Sequence, residues 1–308
     1  MTREDPILDI LGLGVSALDL LLLVEEFPSG EGVAPALETS VQGGGPVAGA
    51  LTAAARLGAR TAMIDRIGDD RRGVSILEEF RRAGVDASLI RVEPGRESAV
   101  ASILVRRRDG ARSIVFAPGT GPEMDAGDAP LERIASARFL HVNGRHLGAC
   151  AAACRHAREK GVTVSFDGGA HRYRPELDPI LRLTDILITA REFAERFTGE
   201  SDPERAAAAL IDAGASIAGV TDGARGSTFR ERSGDRFHQA AFPADPLVDT
   251  TGCGDAFHGA FLFGLSRDWE TRRAARLAAA VAARVATRLG GRAGQPTFEE
   301  AKRFAGGL

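Results

Sequence analysis

The chain has 308 residues, of which 44% are hydrophobic and 26% are charged, enough for one large α/β domain or two small ones with a sizeable core. This composition excludes a disordered chain and a fibrous repeat. The 39 basic and 42 acidic residues give a net charge of −3, so no positive field attracts nucleic acid or an anionic membrane. We therefore expect a small molecule as the partner.

The apolar runs are too short to cross a membrane. The longest outside the Ala-rich stretches is residues 20–24, whereas a bilayer span requires roughly 20 residues. Residues 1–6 include acidic side chains and no apolar core, which argues against a signal peptide. We expect a cytoplasmic protein without membrane contact.

The three cysteines do not indicate a disulfide framework. Cys150 and Cys154 lie four residues apart in an Ala-rich stretch, and Cys253 lies in a Gly-rich turn. Because no second pair of ligands is near, we expect neither disulfides nor a metal site, and we interpret these residues as inert thiols.

The lysines exclude two classes of phosphate-binding protein. Lys160 and Lys302 are the only two, and neither follows a Gly-rich loop. A P-loop requires its Gly-Lys-Ser/Thr and a protein kinase its strand lysine, so both classes are excluded. Any bound phosphate must be held by backbone N–H groups, arginines and metal ions.

Short apolar runs alternate with helical patterns along the chain. The predicted strands are residues 7–13, 61–67, 139–143, 162–166, 185–189 and 217–221. The predicted helices are residues 46–57, 71–83, 148–159, 203–212, 256–265 and 270–289, and most of them end at a glycine. This alternation predicts an α/β fold with a mostly parallel sheet between helices, in a single domain of residues 1–308.

Two stretches, residues 18–39 and 98–116, interrupt this alternation. The first contains Pro28, Gly30 and Gly32, and the second has two extended runs about Asp109-Gly110, which is a hairpin signal. We expect them to form a small accessory sheet over one end of the main sheet.

The sharpest local signal is residues 249–257, Asp-Thr-Thr-Gly-Cys-Gly-Asp-Ala-Phe. Gly252 and Gly254 leave the backbone bare where a helix with an apolar face begins. Such a helix start directs unpaired N–H groups and a positive dipole end outward, which suits an anion. Asp255 then either acts beside that anion or only caps the helix, and the residue pattern leaves both readings open.

Residues 249–257 resemble the Asp-Thr-x-Gly-x-Gly-Asp signature of the ribokinase, or PfkB, family of carbohydrate kinases. Residues 44–58, beginning Gly44-Gly45-Pro46, resemble the Gly-Gly-rich N-terminal motif of that family. Residues 67–73, 197–199 and 220–226 resemble further family elements in family order, so the resemblance covers nearly the whole chain. It implies a ribokinase-like fold, in which the accessory sheet is a β-lid, and an ATP-dependent sugar kinase.

The resemblance implies catalytic roles in the 249–257 motif. Asp255 matches the general base, which takes the proton of a sugar hydroxyl as that oxygen attacks the γ-phosphorus of ATP. The N–H groups of Gly252, Cys253 and Gly254 match an anion hole for the transferring group. We expect Cys253 to contribute its backbone and not a nucleophilic thiol.

The resemblance also implies a sugar site. Asp19 matches a carboxylate that accepts sugar hydroxyls, with a solvated strand-end acid as the alternative. Gly44 and Gly45 allow the backbone to approach the sugar closely. Gly49 stands where many members have a sugar-binding Asn, so the identity of the sugar stays open.

The resemblance also implies nucleotide and magnesium sites. Thr221, Gly223 and Gly226 match the segment facing the nucleotide phosphates and ribose, although a plain β-turn also explains the glycines. Ala190 and Phe193 stand where the family has the Asn-x-x-Glu that orders Mg²⁺. We expect Mg²⁺ nonetheless, with Glu192 and Asp167 as its candidate residues.

Many relatives bind a monovalent cation beside the anion hole. The corresponding residues here are Asp249 and Thr251, with further carbonyl groups from residues 288–294, which predicts K⁺ dependence. Lid edges in this family often pair between subunits, so we also expect a homodimer.

Three segments, residues 43–46, 255–260 and 290–296, look most like the sulfofructose kinase branch of the family. Arg145 falls where that branch places a sulfonate-binding arginine, but Phe116 stands where it has an Asn. A ketose, a pentose and an anionic sugar therefore all remain open. His146 and His258 are expected to be packed polar groups.

Two rival interpretations remain. Residues 12–17, Gly-Leu-Gly-Val-Ser-Ala, fit the G-x-G-x-x-A dinucleotide pattern if residues 16–27 form a helix, which would give an NAD-dependent oxidoreductase. That interpretation assigns no function to residues 249–257. The other rival is an inactive sugar sensor on the ribokinase-like fold, favoured by the loss of Asn-x-x-Glu.

Overall fold

A computed structural model describes residues 8–307 of the chain. In this range the strands are β1 (Leu8–Leu13), β2 (Ala17–Val24), β3 (Glu38–Gly44), β4 (Thr61–Gly68), β5 (Ile90–Glu93), β6 (Ala99–Arg106), β7 (Arg112–Ala117), β8 (Ala137–Val142), β9 (Thr163–Gly168), β10 (Ile186–Ala190), β11 (Ile217–Thr221), β12 (Ser227–Glu231) and β13 (Arg236–Gln239). The α-helices are α1 (Pro46–Leu57), α2 (Arg71–Ala83), α3 (Leu131–Ala135), α4 (Leu147–Glu159), α5 (Asp178–Leu181), α6 (Arg191–Thr198), α7 (Pro203–Asp212), α8 (Cys253–Ser266), α9 (Thr271–Val285) and α10 (Phe298–Phe304).

The main sheet has the strand order β13-β12-β11-β10-β9-β8-β1-β4-β5. From β11 to β5 all neighbouring strands of this sheet pair in parallel, and only the β11–β12 and β12–β13 pairs are antiparallel. One apolar core lies under α4, α6 and α7, and the other lies under α1, α2, α8 and α9. The predicted α/β fold, a mostly parallel sheet covered on both faces, is confirmed.

The accessory sheet is also confirmed, as four strands in the order β3-β2-β6-β7. The hairpin between β6 and β7 turns at Gly110, whose φ is 64°. The inner face packs its buried Leu21, Ile103 and Val105 against Leu289. The first lid segment extends beyond residue 39, because β3 pairs with β2 as far as Gly44 and so leads directly to α1. We call this sheet the lid.

The dinucleotide-binding interpretation is wrong. Residues 17–24 form strand β2, which pairs with both β3 and β6, so no helix follows the glycines of residues 12–17. Those glycines have a packing role instead: a Cβ at Gly12 would lie 2.6 Å from Cγ1 of Val47, and a Cβ at Gly14 would lie 2.8 Å from its Cγ2. They allow α1 to pack closely against β1.

Most predicted elements are found with small shifts of their ends. Helix α8 begins at Cys253 and not at residue 256, because Gly252 is its N-cap. Helix α9 ends at Val285 and not at residue 289; the carbonyl of Ala286 accepts the N–H groups of Val248 and Asp249 at 2.9 and 3.2 Å. The predictions on residues 1–7 lie outside the described residues. No helix within 8–307 combines the length and apolarity that crossing a membrane requires.

Candidate active site

The start of helix α8 leaves its first backbone N–H groups free of any side-chain cap. Gly252 adopts φ 72°, and a Cβ there would lie 2.5 Å from Cα of Gly291, so only glycine fits. A Cβ at the exposed Gly254 would have nothing within 4 Å. The first turn of the helix therefore presents open N–H groups and the positive end of its dipole, as expected of an anion site.

Asp255 lies in this first turn and does not cap the helix, which removes the simpler of its two interpretations. Burial raises the pKa of Asp255 above the ordinary value of an aspartate, and the charge of Asp167 raises it further. An acid with a raised pKa is better suited to hold a proton taken from an alcohol.

Helices α1 and α8 are in backbone contact at the site. A Cβ at Gly259 would lie 2.0 Å from the carbonyl oxygen of Ala50, and a Cβ at Gly49 would lie 2.9 Å from Cβ of Asp255. Gly49, which the sequence marked only as a departure from the family pattern, thus makes room for the Asp255 side chain.

Asp19 on β2 is brought to the same place. A Cβ at Gly44 would lie 2.0 Å from Oδ1 of Asp19, so the carboxylate lies directly on the bare backbone of β3. Burial raises the pKa of Asp19 to about 6; Arg292 opposes this shift, and the charges of Asp255 and Asp249 add to it. The structure therefore brings Asp19, Gly44, Gly49 and Asp255 together, and Gly45 follows with φ 94°.

Asp249 is completely buried beside the anion site. Its Oδ1 accepts the N–H of Thr251 and its Oδ2 accepts the N–H of Gly290, both at 2.8 Å. Within residues 8–307 it forms no ion pair, and Oγ1 of Thr251 has no hydrogen-bond partner. A buried carboxylate without a cation is costly, so this environment suits a bound cation.

The two candidate magnesium residues have other contacts. Oδ1 of Asp167 lies 3.2 Å from Nε2 of His258, and its buried Oδ2 has no hydrogen-bond partner. Glu192 accepts the N–H of His171. In the described part of the chain no three His, Cys, Asp or Glu residues are grouped to hold a metal. Burial raises the pKa of Cys253 to about 12, which fits a backbone role.

The predicted nucleotide residues lie at the end of strand β11 and in the turn that follows it. Oγ1 of Thr221 donates to the carbonyl of Thr189 at 3.3 Å. Gly226 has φ 88°, and a Cβ there would lie 2.3 Å from the carbonyl oxygen of Gln239, whereas Gly223 faces open space. A tight turn therefore explains Gly226, while Gly223 leaves room for a ligand.

Arg145, which matches one branch of the family, and Phe116, which departs from it, are neighbours: the guanidinium lies 5.7 Å from the ring centroid. Arg145 lines a small cavity between the lid and the main sheet with Ser16 and His146. Burial opposes the charged form of His146, but Asp65 and Glu123 outweigh it and raise its pKa. Arg145 makes no ion pair with any residue in 8–307.

One arginine beside the anion site was not predicted. Arg112 begins lid strand β7, and its Nη1 donates to Oγ1 of Thr250 at 2.8 Å. Its charge opposes the rise that burial causes in the pKa of both Cys253 and Asp255, so the lid brings a guanidinium to the anion site. Its position just after the Asp109-Gly110 hairpin was the only sequence signal.

The family model of the pfkB family carbohydrate kinases matches residues 9–298. The chain therefore belongs to the pfkB family of carbohydrate kinases, which are phosphotransferases with an alcohol acceptor.

Individual relatives cover nearly the whole chain. An ATP-dependent ribose-1-phosphate kinase of Halopiger xanaduensis is 30% identical over 266 residues, covering 86% of this chain and 87% of its own. The mouse ketohexokinase is 23% identical, covering 87% and 92%. Among solved structures, a ribokinase candidate from Agrobacterium tumefaciens has a TM-score of 0.88 and 28% identity, with 96% of each chain covered.

The raised pKa of Asp19 predicts a gain in stability when its charge is removed. Ionising this carboxyl costs more free energy in the folded state than in the unfolded chain. The resulting loss of folding stability is absent below the ordinary pKa of 3.8, grows between that pH and about pH 6, and stays constant above. We expect Asp19→Asn to raise the free energy of unfolding by about 1–2 kcal/mol at pH 7.5. Urea titrations at pH 7.5 and pH 4 measure it. An equal gain at both pH values, or from the exposed control Asp212→Asn, contradicts the assignment.

Proposed function

We propose that this carbohydrate kinase transfers the γ-phosphoryl group of ATP to a hydroxyl of a small sugar bound between Asp19 and Asp255. The single observation that carries the proposal is the position of Asp255. Its carboxylate lies in the first turn of an uncapped helix start and against the bare backbone of Gly49. A base and an anion site thus occur within one helical turn.

The proposed chemistry uses groups at the start of α8 and on the lid. Asp255 takes the proton of the sugar hydroxyl as that oxygen attacks phosphorus, and its raised pKa allows it to hold the proton. The N–H groups of Gly252, Cys253 and Gly254 stabilise the charge on the transferring group. Arg112 adds a positive charge from the lid, and the lid excludes water from the sugar.

Magnesium and a monovalent cation are part of this proposal. Mg²⁺ neutralises the triphosphate charge when bound. Oδ2 of Asp167 has no hydrogen-bond partner within residues 8–307, although Nη1 of Arg172 lies 3.7 Å away, and it can accept a metal-bound water. Glu192 at the start of α6, which follows the neighbouring strand β10, is the second candidate acid. Asp249 and the carbonyl of Thr251, with carbonyls of residues 288–294, would hold K⁺, which compensates the buried carboxylate.

We further propose that the acceptor carries an anionic group. Arg145 lines the cavity under the lid without an ion pair in residues 8–307, and a guanidinium there suits a phosphate, sulfonate or carboxylate. The Halopiger relative is named for a phosphorylated pentose, which favours the same class. A sulfosugar such as sulfofructose remains within this proposal.

A panel of acceptors tests this proposal. Ribose, fructose, ribose 1-phosphate and sulfofructose are offered with ATP and Mg²⁺, and ADP release is followed. We expect kcat/KM to be highest for an anionic sugar, and Arg145→Met to lower that value roughly tenfold or more, as for a lost charge-assisted hydrogen bond.

A control variant and an alternative function are part of this test. Arg155→Met, an exposed arginine on α4, serves as the control and should have no effect. A neutral sugar as the best acceptor, or equal losses for neutral and anionic sugars in Arg145→Met, contradicts the anionic class. Sugar binding without ADP release would instead favour an inactive sensor, which the buried apolar Phe193 in place of the family glutamate also favours.

Replacing the base tests the mechanism. Asp255→Asn keeps the shape of the side chain but cannot accept a proton, so we expect kcat to fall by about 10²–10⁴. Thermal unfolding should show an unchanged or higher Tm, because the buried charge is removed. A loss of tenfold or less would show that Asp255 is not the general base.

We propose that the protein forms a homodimer through the lid. Val41, Leu20, Ser102 and Val115 lie opposite one another across its four strands, and the three apolar residues are 62%, 37% and 73% exposed. The edge strand β7 is exposed along its whole length, which favours pairing with a second copy. Light scattering should give twice the chain mass of 32.4 kDa, and Val41→Lys should reduce it. A monomeric wild type contradicts the proposal.

A further inference from the structure

The loop after helix α9 inserts one arginine beneath the lid. The side chain of Arg292 is only 9% exposed and lies against Gly43 at the end of β3, where a Cβ would come within 2.1 Å of its Nη1. The sequence predicted no role for this side chain, although its carbonyl lies in the predicted cation segment, and none for the acid beside it, Glu79 on helix α2. We propose that Glu79 and Arg292 form a clamp that positions the Gly43-Gly44 backbone for the sugar.

The clamp contacts both backbone groups of the diglycine. The N–H of Gly43 donates to Oε2 of Glu79 at 3.4 Å, and Nη2 of Arg292 donates to the carbonyl of Gly44 at 3.4 Å. The two side chains are themselves paired, with Nη1 of Arg292 at 3.6 Å from Oε2 of Glu79. The guanidinium also lies 5.5 Å from the ring centroid of Phe80. Only glycine at residue 43 leaves space for this arrangement.

The loop that carries Arg292 is itself attached to β3 through Gln42. Oε1 of Gln42 accepts the N–H groups of Arg292 and Ala293 at 3.0 and 3.3 Å, and its Nε2 donates to the carbonyl of Leu289 at 2.8 Å. Three hydrogen bonds of one side chain therefore join the loop after α9 to the end of the lid strand, as one structural unit. The position of Gly44, on which Asp19 lies, depends on that unit.

Stability alone does not account for a charged residue here. Nε and Nη1 of Arg292 are buried without a hydrogen-bond partner within residues 8–307, and burial lowers the pKa of the guanidinium. An apolar side chain of similar size would avoid that cost. The positive charge interacts with two carboxylates instead: Arg292 attracts Glu79, and it opposes the rise in the pKa of Asp19.

This inference deepens the proposed function, because it assigns Glu79 and Arg292 to the sugar side of the site. They act through Gly43, Gly44 and Asp19 and are therefore positioning residues. Loss of either side chain should loosen the sugar segment. The anion hole should change less, because the same loop contacts it through the backbone of Gly290 and Gly291.

Hydrogen exchange on the ligand-free protein tests the clamp without any substrate. The variants are Arg292→Met, Arg292→Lys and Glu79→Gln. The matched control is Glu78→Gln, the preceding residue on α2, whose carboxylate pairs with Arg82 as that of Glu79 also does. We expect amides 42–45 to exchange roughly tenfold faster in Arg292→Met and Glu79→Gln, less in Arg292→Lys, and as in wild type in Glu78→Gln.

Two results of this experiment would overturn the clamp. One is unchanged exchange at residues 42–45. The other is equal acceleration in the distant lid strands β6 and β7, which would show general destabilisation. Because no sugar is required, the outcome is independent of whether the proposed kinase reaction is found.

Kinetics then test the link to the sugar, with the best acceptor of the panel. We expect Arg292→Met and Glu79→Gln to raise KM for the sugar about tenfold, with KM for ATP and kcat within about twofold to threefold. Equal changes in both KM values, or a loss confined to kcat, would overturn the assignment to the sugar side. If wild type phosphorylates no sugar, the proposed function fails and the exchange experiment alone decides the clamp.

Discussion

Backbone contact between helices α1 and α8 is the constraint on which the site depends. Gly259 lies against the backbone carbonyl of Ala50, and Gly49 lies against the side chain of Asp255. No side chain separates the two helices at Gly259, and at Gly49 the Asp255 side chain fills the space. Helix α1 follows the Gly44-Gly45 end of the lid strand, and helix α8 begins at the anion site. The contact therefore brings the parts proposed to bind sugar and phosphoryl group into one cleft, and a larger residue at either glycine would separate them.

The site also contains more buried carboxylates than nearby positive charges. Burial raises the pKa values of Asp19 and Asp255, and the completely buried Asp249 has no ion pair within the described residues. The cations that approach these acids come from outside the main sheet, with Arg112 on the lid and Arg292 on the C-terminal loop. A site that is costly in the empty protein is suited to ligands that bring Mg²⁺, K⁺ or hydroxyl groups. Its geometry then depends on where the lid and that loop lie.

Local signals predicted much of the fold. Helices α1, α2 and α7 and strand β11 have the predicted ends, because glycine, proline or a capping acid stops them locally. Short strands such as β5 and β13 carry too few residues for a pattern. Gly12 and Gly14 suggested a dinucleotide loop but allow helix α1 to pack closely. The sequence spacing of glycines does not distinguish these two roles. Arg112 and Arg292 were missed because their importance arises only where distant segments meet.

The central claim is that the N–H groups at the start of α8 hold the transferring phosphoryl group while Asp255 faces its acceptor. The most direct measurement is a crystal structure with ADP, Mg²⁺, aluminium fluoride and the best acceptor sugar. We predict fluorides within about 2.7–3.2 Å of the N–H groups of residues 252–254, and a carboxylate oxygen of Asp255 at similar distance from one sugar hydroxyl. A phosphoryl mimic bound away from α8, or an acceptor hydroxyl beyond reach of Asp255, would contradict the account.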